Sequence, residues 1–287
     1  MMDDLAASVA SLLQEAAAEI ILPRFGRLTD GDIEEKSSPT DLVTVADREA
    51  EAWLTSRLSD IVDAAVIGEE ACAATPSLLD HVGEDRAWTV DPVDGTSNFV
   101  KGNERFCTMV SLLEAGVPVR SWIWLPIAGE LYYAQAGKGA VCSAVSGGAT
   151  RRLSLDSCHL ALEEMVGGAS IRGVPEPARQ QLRDRLRALP GRWFPGSGGV
   201  LGAAIADGTQ HFLYHATITP WDHAPVDLLC REAGGHAAMI TNGARYNAVM
   251  SGGMSGGMSG GMSGGILVAP CRPSWTRLRD YLMASSS

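Results

Sequence analysis

Six consecutive residues, Asp91-Pro92-Val93-Asp94-Gly95-Thr96, place two carboxylates three positions apart directly after the apolar run Ala87-Trp88-Thr89-Val90. With each residue type near one in twenty, five specified positions in that order arise by chance in roughly one in 10⁴ chains of this length. A buried strand that ends on two acids brings like charges together, and each raises the other's pKa unless a cation lies between them. Gly95 permits a sharp turn, and Thr96-Ser97-Asn98 then opens a helix whose first N–H groups offer an anion site beside that cation. Metal on one side and phosphate on the other is a layout for phosphoryl transfer. The competing reading is a plain hairpin turn at Asp94-Gly95.

Two further segments repeat the pattern. Ala64-Ala65-Val66-Ile67 runs into Gly68-Glu69-Glu70, although two acids after a strand are, taken alone, usually just solvated. Trp221-Asp222, followed by Asp227 and by Glu232-Ala233-Gly234-Gly235, supplies a third acid near a helix start, where Asp222 would serve equally as an N-cap. Together these segments present oxygen ligands with no His or Cys at the same strand-end positions. Such a set suits Mg²⁺ or Mn²⁺ and argues against zinc.

The elements that must position these acids are readable from periodicity. Leu5, Val9, Leu12, Leu13, Ala16 and Ile20 recur at helical spacing, predicting an amphipathic core helix from residue 3 to about 22, stopped near Pro23. Asp47 is expected to N-cap a second helix through Trp53, Leu54 and Leu58. Residues 64–67, 87–90, 109–113, 121–125, 130–134, 212–214 and 266–269 read as strands separated by Gly/Pro turns. Residues 176–189 read as a basic amphipathic helix with a solvated face, residues 203–205 lie in another, and residues 227–233 form one ending at Gly234-Gly235. Met250 to Gly265 is four tandem copies of Met-Ser-Gly-Gly, half glycine, and reads as an expanded surface loop before the last strand; methionine ligation of Cu(I) is the sharper alternative.

Composition sets the frame. The chain has 287 residues, 46% hydrophobic and 20% charged, which is ordinary for a globular protein with a sizeable core. Its 23 Lys+Arg against 34 Asp+Glu give a formal net charge of −11, which disfavours nucleic acid and anionic membranes as partners. The same charge repels a phosphorylated substrate unless bound cations reverse the sign locally. Cys72, Cys107, Cys142, Cys158, Cys230 and Cys271 contain no C-x-x-C pair and are read as reduced thiols. The acidic start Met1-Met2-Asp3-Asp4 is unlike a secretory signal, and no apolar run approaches the 18 residues of a membrane span, so a cytoplasmic, soluble chain is expected.

The three acidic segments, in this order and spacing from about Lys36 to Gly235, resemble the signatures of the inositol monophosphatase family, which belongs with fructose-1,6-bisphosphatase to a lithium-sensitive, metal-dependent phosphatase superfamily. Ser38 through Asp47 resembles the family's upstream element, and Phe99-Val100 follows the second motif as in that family. The resemblance implies an α/β (α+β) layered sandwich, αβαβα, formed as a single domain with an N-terminal half to about residue 146 and a C-terminal half beyond. It implies one Mg²⁺ on Glu69, Asp91 and the Val93 carbonyl, a second on Asp91, Asp94 and Asp222, and a looser third near Glu69. Thr96, paired with Asp47, would orient and help deprotonate the attacking water. Gly95 and Thr96 would bind phosphate, Ser197 and His215 would contact substrate, and Lys36 would lie on a loop closing over the metals. A homodimer is the family's usual state.

Two departures bear on substrate. His215 stands seven residues before Asp222, where inositol-cleaving members carry Glu, and Lys101-Gly102-Asn103-Glu104-Arg105 replaces the family's His and Pro-containing turn. Both leave the acids intact. The expected activity is therefore hydrolysis of a small phosphorylated metabolite of the inositol monophosphate type. Histidinol phosphate, 3′-phosphoadenosine 5′-phosphate and fructose 1,6-bisphosphate are the alternatives, and a regulatory role in ribosomal RNA transcription is the non-enzymatic one. Pro195-Gly196-Ser197-Gly198-Gly199 misses the G-x-S-x-G of a serine hydrolase, and residues 196–202 miss G-x-G-x-x-G.

Overall fold

The structure, a computed structural model, describes residues 2–36, 42–144, 149–155, 160–192, 194–252 and 264–284. In chain order the first part contains α1 (Asp4–Ala16), β1 (Ile33–Glu35), β2 (Leu42–Thr44), α2 (Val45–Ile61), β3 (Ala65–Gly68) and α3 (Glu69–Ala74). It continues through β4 (Ala87–Asp94), α4 (Thr96–Val100), β5 (Cys107–Glu114), β6 (Val117–Leu125), β7 (Glu130–Gln135), β8 (Gly139–Ala144) and β9 (Arg151–Leu153). The second part runs β10 (Val166–Ser170), α5 (Ala178–Ala188), β11 (Gly191–Arg192), α6 (Gly198–Ala206), β12 (Phe212–His215), α7 (Pro220–Glu232), β13 (His236–Met239), α8 (Val249–Gly252), β14 (Ile266–Ala269) and α9 (Arg272–Met283).

Five layers follow from which face of each strand is apolar. The seven-stranded sheet, in the order β3-β4-β5-β6-β7-β8-β9, points Trp88, Val90, Val110, Trp122 and Tyr133 at α1 and α2, which bury Val9, Leu13, Leu54 and Leu58 against them. Its other face sends Met109, Ile123 and Tyr132 into a middle layer of α6 and α7, where Leu201, Ile205, Leu228 and Leu229 are fully buried. The five-stranded sheet, β11-β10-β12-β14-β13, covers that layer with Leu213, Ile266 and Val268, and alternate residues Phe212, Tyr214 and Leu267 pack on α5 and α9. Each Leu or Ile so buried contributes on the order of 1.5–3 kcal/mol. The arrangement is the αβαβα sandwich expected from sequence. The first sheet extends through β9 to Leu153, beyond the expected change of half near residue 146.

Several local expectations are adjusted. Asp47 is not the N-cap of α2: Thr44 is, and Asp47 at N3 returns a carboxylate to the Thr44 N–H and hydroxyl, closing a capping box. α1 passes into a π-helical turn (Ala17–Ile21) and a 3₁₀ turn (Leu22–Arg24). By length and composition alone Asp4–Arg24 is apolar enough to cross a membrane, more apolar than the sequence reading allowed, because its outer face carries Ala7, Ser8, Ser11 and Ala18. Its inner face is committed to the core, with Ala6, Val9 and Leu13 fully buried. The described cysteines are free thiols, and Cys158 lies outside the described residues. So do residues 38–41 of the upstream element and most of the Met-Ser-Gly-Gly repeat.

Candidate active site

β3 and β4 are parallel neighbours, with Gly68 paired to Val90, so their carboxyl ends open at the same edge of the sheet. Glu69 is the first residue of α3, and Asp91 lies on β4, 1% exposed. Between Asp91 and Asp94 the pairing with β5 slips, resuming at Asp94 opposite Cys107. Pro92 has no N–H to pair there, its carbonyl accepting instead from the Thr108 hydroxyl at 2.8 Å. Gly95 follows at φ +97°, a left-handed turn that throws the chain into α4. Fully buried Phe99 anchors that helix against Phe106.

Asp222 comes from the second half, in the first turn of α7, where the Thr219 hydroxyl donates to its Oδ2 at 2.7 Å. Carboxylate oxygens of Glu69, Asp91 and Asp222 lie within 4.8 Å of one another. They line a cleft of about 170 Å³ together with Leu42, Val93, Asp94, Gly95, Thr96, Ser97, Arg172 and Gly196. Asp94 stands slightly apart from that trio. Its Oδ2 accepts from Ser197 Oγ at 2.5 Å and Gly199 N–H at 2.6 Å, and its Oδ1 accepts from Gly198 N–H at 3.3 Å.

Electrostatics match the geometry. Burial, against the pull of Lys36 and with Asp222 and Glu70 adding to it, pushes the Glu69 carboxyl up to about 8. Burial also raises Asp91 well above the carboxylate range, with Glu69, Asp94 and Asp222 contributing. Asp94 is raised to about 6 by burial and Asp222, partly offset by Ser197 and the α6 N–H groups. Acids that so resist ionising side by side fit a hard dication, whose charge would hold them ionised. Lys36 sits on two of the acids, its Nζ 2.8 Å from Glu69 Oε1 and 2.6 Å from Glu70 Oε1.

A second chain of contacts leads to the water side. Thr96 Oγ1 lies 3.1 Å from Asp47 Oδ1 and 3.1 Å from the Val93 carbonyl. Asp47 thus divides its oxygens, Oδ2 to the α2 cap and Oδ1 to Thr96, and burial raises it to about 6. Buried Glu51 of α2 accepts from the N–H groups of Glu70 and Ala71 at 2.8 and 2.7 Å, fixing the turn that presents Glu69.

Two expected substrate contacts are placed differently. Ser197 is fully buried; its hydroxyl accepts from Val200 N–H, capping α6, and gives its proton to Asp94, so it does not face the cleft. His215 is 9% exposed on β12 and is absent from the cleft wall. Its Nδ1 lies 3.0 Å from His223 Nε2. His223 Nδ1 lies 3.0 Å from Thr219 N and 2.9 Å from the Thr219 carbonyl oxygen, so the two rings form a buried pair in which either can donate to the other. His215 Nε2 is buried with no hydrogen-bond partner among the described residues. Burial and His223 hold the His215 pKa down to about 3, which keeps its ring neutral. Asp227 is also outside the cleft, buried and paired to Arg231 at 2.7 Å. Arg172 and Gly196, which do line the cleft, belong to no motif that the sequence displays.

Comparison with known proteins now has a geometry to meet. The profile of the inositol monophosphatase family matches residues 2–269. A histidinol-phosphatase of Mycobacterium tuberculosis is 31% identical over 266 residues, covering 87% of this chain and 97% of the relative. An inositol-1-monophosphatase of Bacillus subtilis is 29% identical over 224 residues, 78% of this chain and 80% of the relative. Among solved structures, an IMPase/NADP phosphatase complexed with Mg²⁺ and phosphate superposes with a TM-score of 0.73 at 19% identity, over 98% of this chain and 95% of the other.

Proposed function

The chain belongs to the inositol monophosphatase family and is a phosphoric monoester hydrolase, and on that premise we propose that its cleft works with Mg²⁺ on a small phosphorylated alcohol of the inositol monophosphate type. The observation that carries the metal reading is the convergence of Glu69, Asp91 and Asp222 within 4.8 Å in a buried, cation-demanding setting. Asp91 would be shared between two ions, one completed by Glu69 and the Val93 carbonyl, the other by Asp94 and Asp222. When bound, the ions supply charge neutralisation at the phosphate and a lowered pKa for the attacking water.

The chain's own residues do the rest. The N–H groups of Gly95 and Thr96, at the start of α4, hold the phosphate oxygens. Thr96 orients the attacking water, and Asp47, with Oδ1 3.1 Å from the Thr96 hydroxyl, receives the proton passed along that contact. Arg172 on the cleft wall adds positive charge where the substrate's anion enters. A second reading, histidinol phosphate as substrate, is favoured by the 31% identical relative.

The test is phosphate release from inositol 1-phosphate, histidinol phosphate, 3′-phosphoadenosine 5′-phosphate and fructose 1,6-bisphosphate after stripping the protein with chelator. Turnover that returns with Mg²⁺ and falls with added Li⁺ supports the reading. Full turnover in excess chelator refutes the metal role.

A further inference from the structure

Among the acids lining the cleft, Asp94 is held by the other half of the molecule. Its Oδ2 receives the Ser197 hydroxyl at 2.5 Å and Gly199 N–H at 2.6 Å, with Cys107 Sγ at 3.4 Å. Ser197 has one proton, and its direction is fixed: the oxygen accepts from Val200 N–H at 3.1 Å, so the proton goes to Asp94. The residue is fully buried, so water cannot take over this role. Oδ1 keeps only the 3.3 Å contact from Gly198 N–H.

We propose that Ser197 is a positioning residue of the metal site, saturating Asp94 Oδ2 so that Oδ1 alone is offered to an ion. The assignment rests on the Mg²⁺ reading above. Partners behind a ligand fix its orientation, and removing one typically lowers metal affinity ten- to hundredfold. A residue that merely capped α6 would leave metal binding untouched, and glycine is itself a good N-cap, so S197G separates the two roles.

The experiment is calorimetric titration of Mg²⁺ and Mn²⁺ into chelator-stripped wild type, S197G, S197A and S197T, with circular dichroism and thermal melts of each. The expected result is a folded S197G in which one ion binds ten- to hundredfold more weakly while the other stays within about twofold, and S197T restores the loss. A folded S197G that binds both ions as wild type does overturns the positioning role while leaving the Mg²⁺ reading standing. Unfolding of both S197G and S197A assigns the serine to the fold and also overturns it. A wild type that binds neither cation fails the Mg²⁺ reading itself, and the positioning role with it.

Discussion

A Cβ placed on Gly68 would stand 2.2 Å from the carboxyl carbon of Glu51. The glycine ahead of the two acids is therefore a space reserved for a buried carboxylate that holds the α3 start. Gly68→Ala should displace Glu51, orphan the Glu70 and Ala71 N–H groups and cost about 1–3 kcal/mol. Because both changes disturb one contact, Glu51→Ala combined with Gly68→Ala should cost less than the two singles summed. Urea unfolding of the four proteins decides this; strict additivity would mean that the two residues are not coupled.

Asp91→Asn should act in opposite directions on activity and on the metal-free fold. Removing the charge shared by both ion sites is expected to lower kcat at least about 10³-fold. It also removes the most confined of the repelling acids, so in chelator the melting temperature should rise above that of wild type. A folded Asp91→Asn enzyme with near-wild-type turnover would disprove the ligand assignment.

The acid cluster predicts a pH dependence of stability. Glu51 and Glu69 are raised to about 7 and about 8 in the folded state, and Asp91 is raised as well, whereas the unfolded chain releases these protons near 4. The folded state binds the extra protons, so their contribution is present at low pH and is lost as pH rises through the folded values. Buried His215 and His223 act oppositely below about pH 6.5, so the informative window lies above it. Metal-free protein should lose melting temperature from about pH 7 to 8.5, and saturating Mg²⁺ should flatten the slope. A rising melting temperature across that window in chelator would contradict the burial of these acids.

At His215 the question is substrate preference. Because His215 stands off the cleft wall, His215→Glu should leave the ratio of kcat/KM for inositol 1-phosphate over histidinol phosphate within about twofold of wild type. Its Mg²⁺ requirement should not move. A shift of about ten- to thirty-fold, the effect of one hydrogen-bonding contact, would show that residue 215 does meet substrate.

What the sequence made legible were features written locally. The acids at residues 69, 91 and 94 follow apolar strands directly, and Asp222 follows a Trp at a helix start, so residue type and neighbourhood announce them. The final strand, Ile266–Ala269, is four apolar residues in a row and was bounded correctly. Contacts between distant segments were not legible. Nothing in Gly196-Ser197-Gly198 indicates that its hydroxyl would meet Asp94, and Arg172 sits after a glycine-rich strand, Val166–Ser170, with little intrinsic β preference. Thr44 took the cap expected of Asp47 because a threonine three residues ahead of an acid makes a box in which both side chains are satisfied.

The trio that closes the cleft is drawn from residues 69, 91 and 222, the last delivered by α7 packed between the sheets. During synthesis the first two acids emerge well before the third. A nascent chain in that condition carries Glu69, Asp91, Asp94 and the Val93 carbonyl but still lacks Asp222. On the reading proposed above, the site that needs Asp222 would be complete only once the second half has arrived and docked.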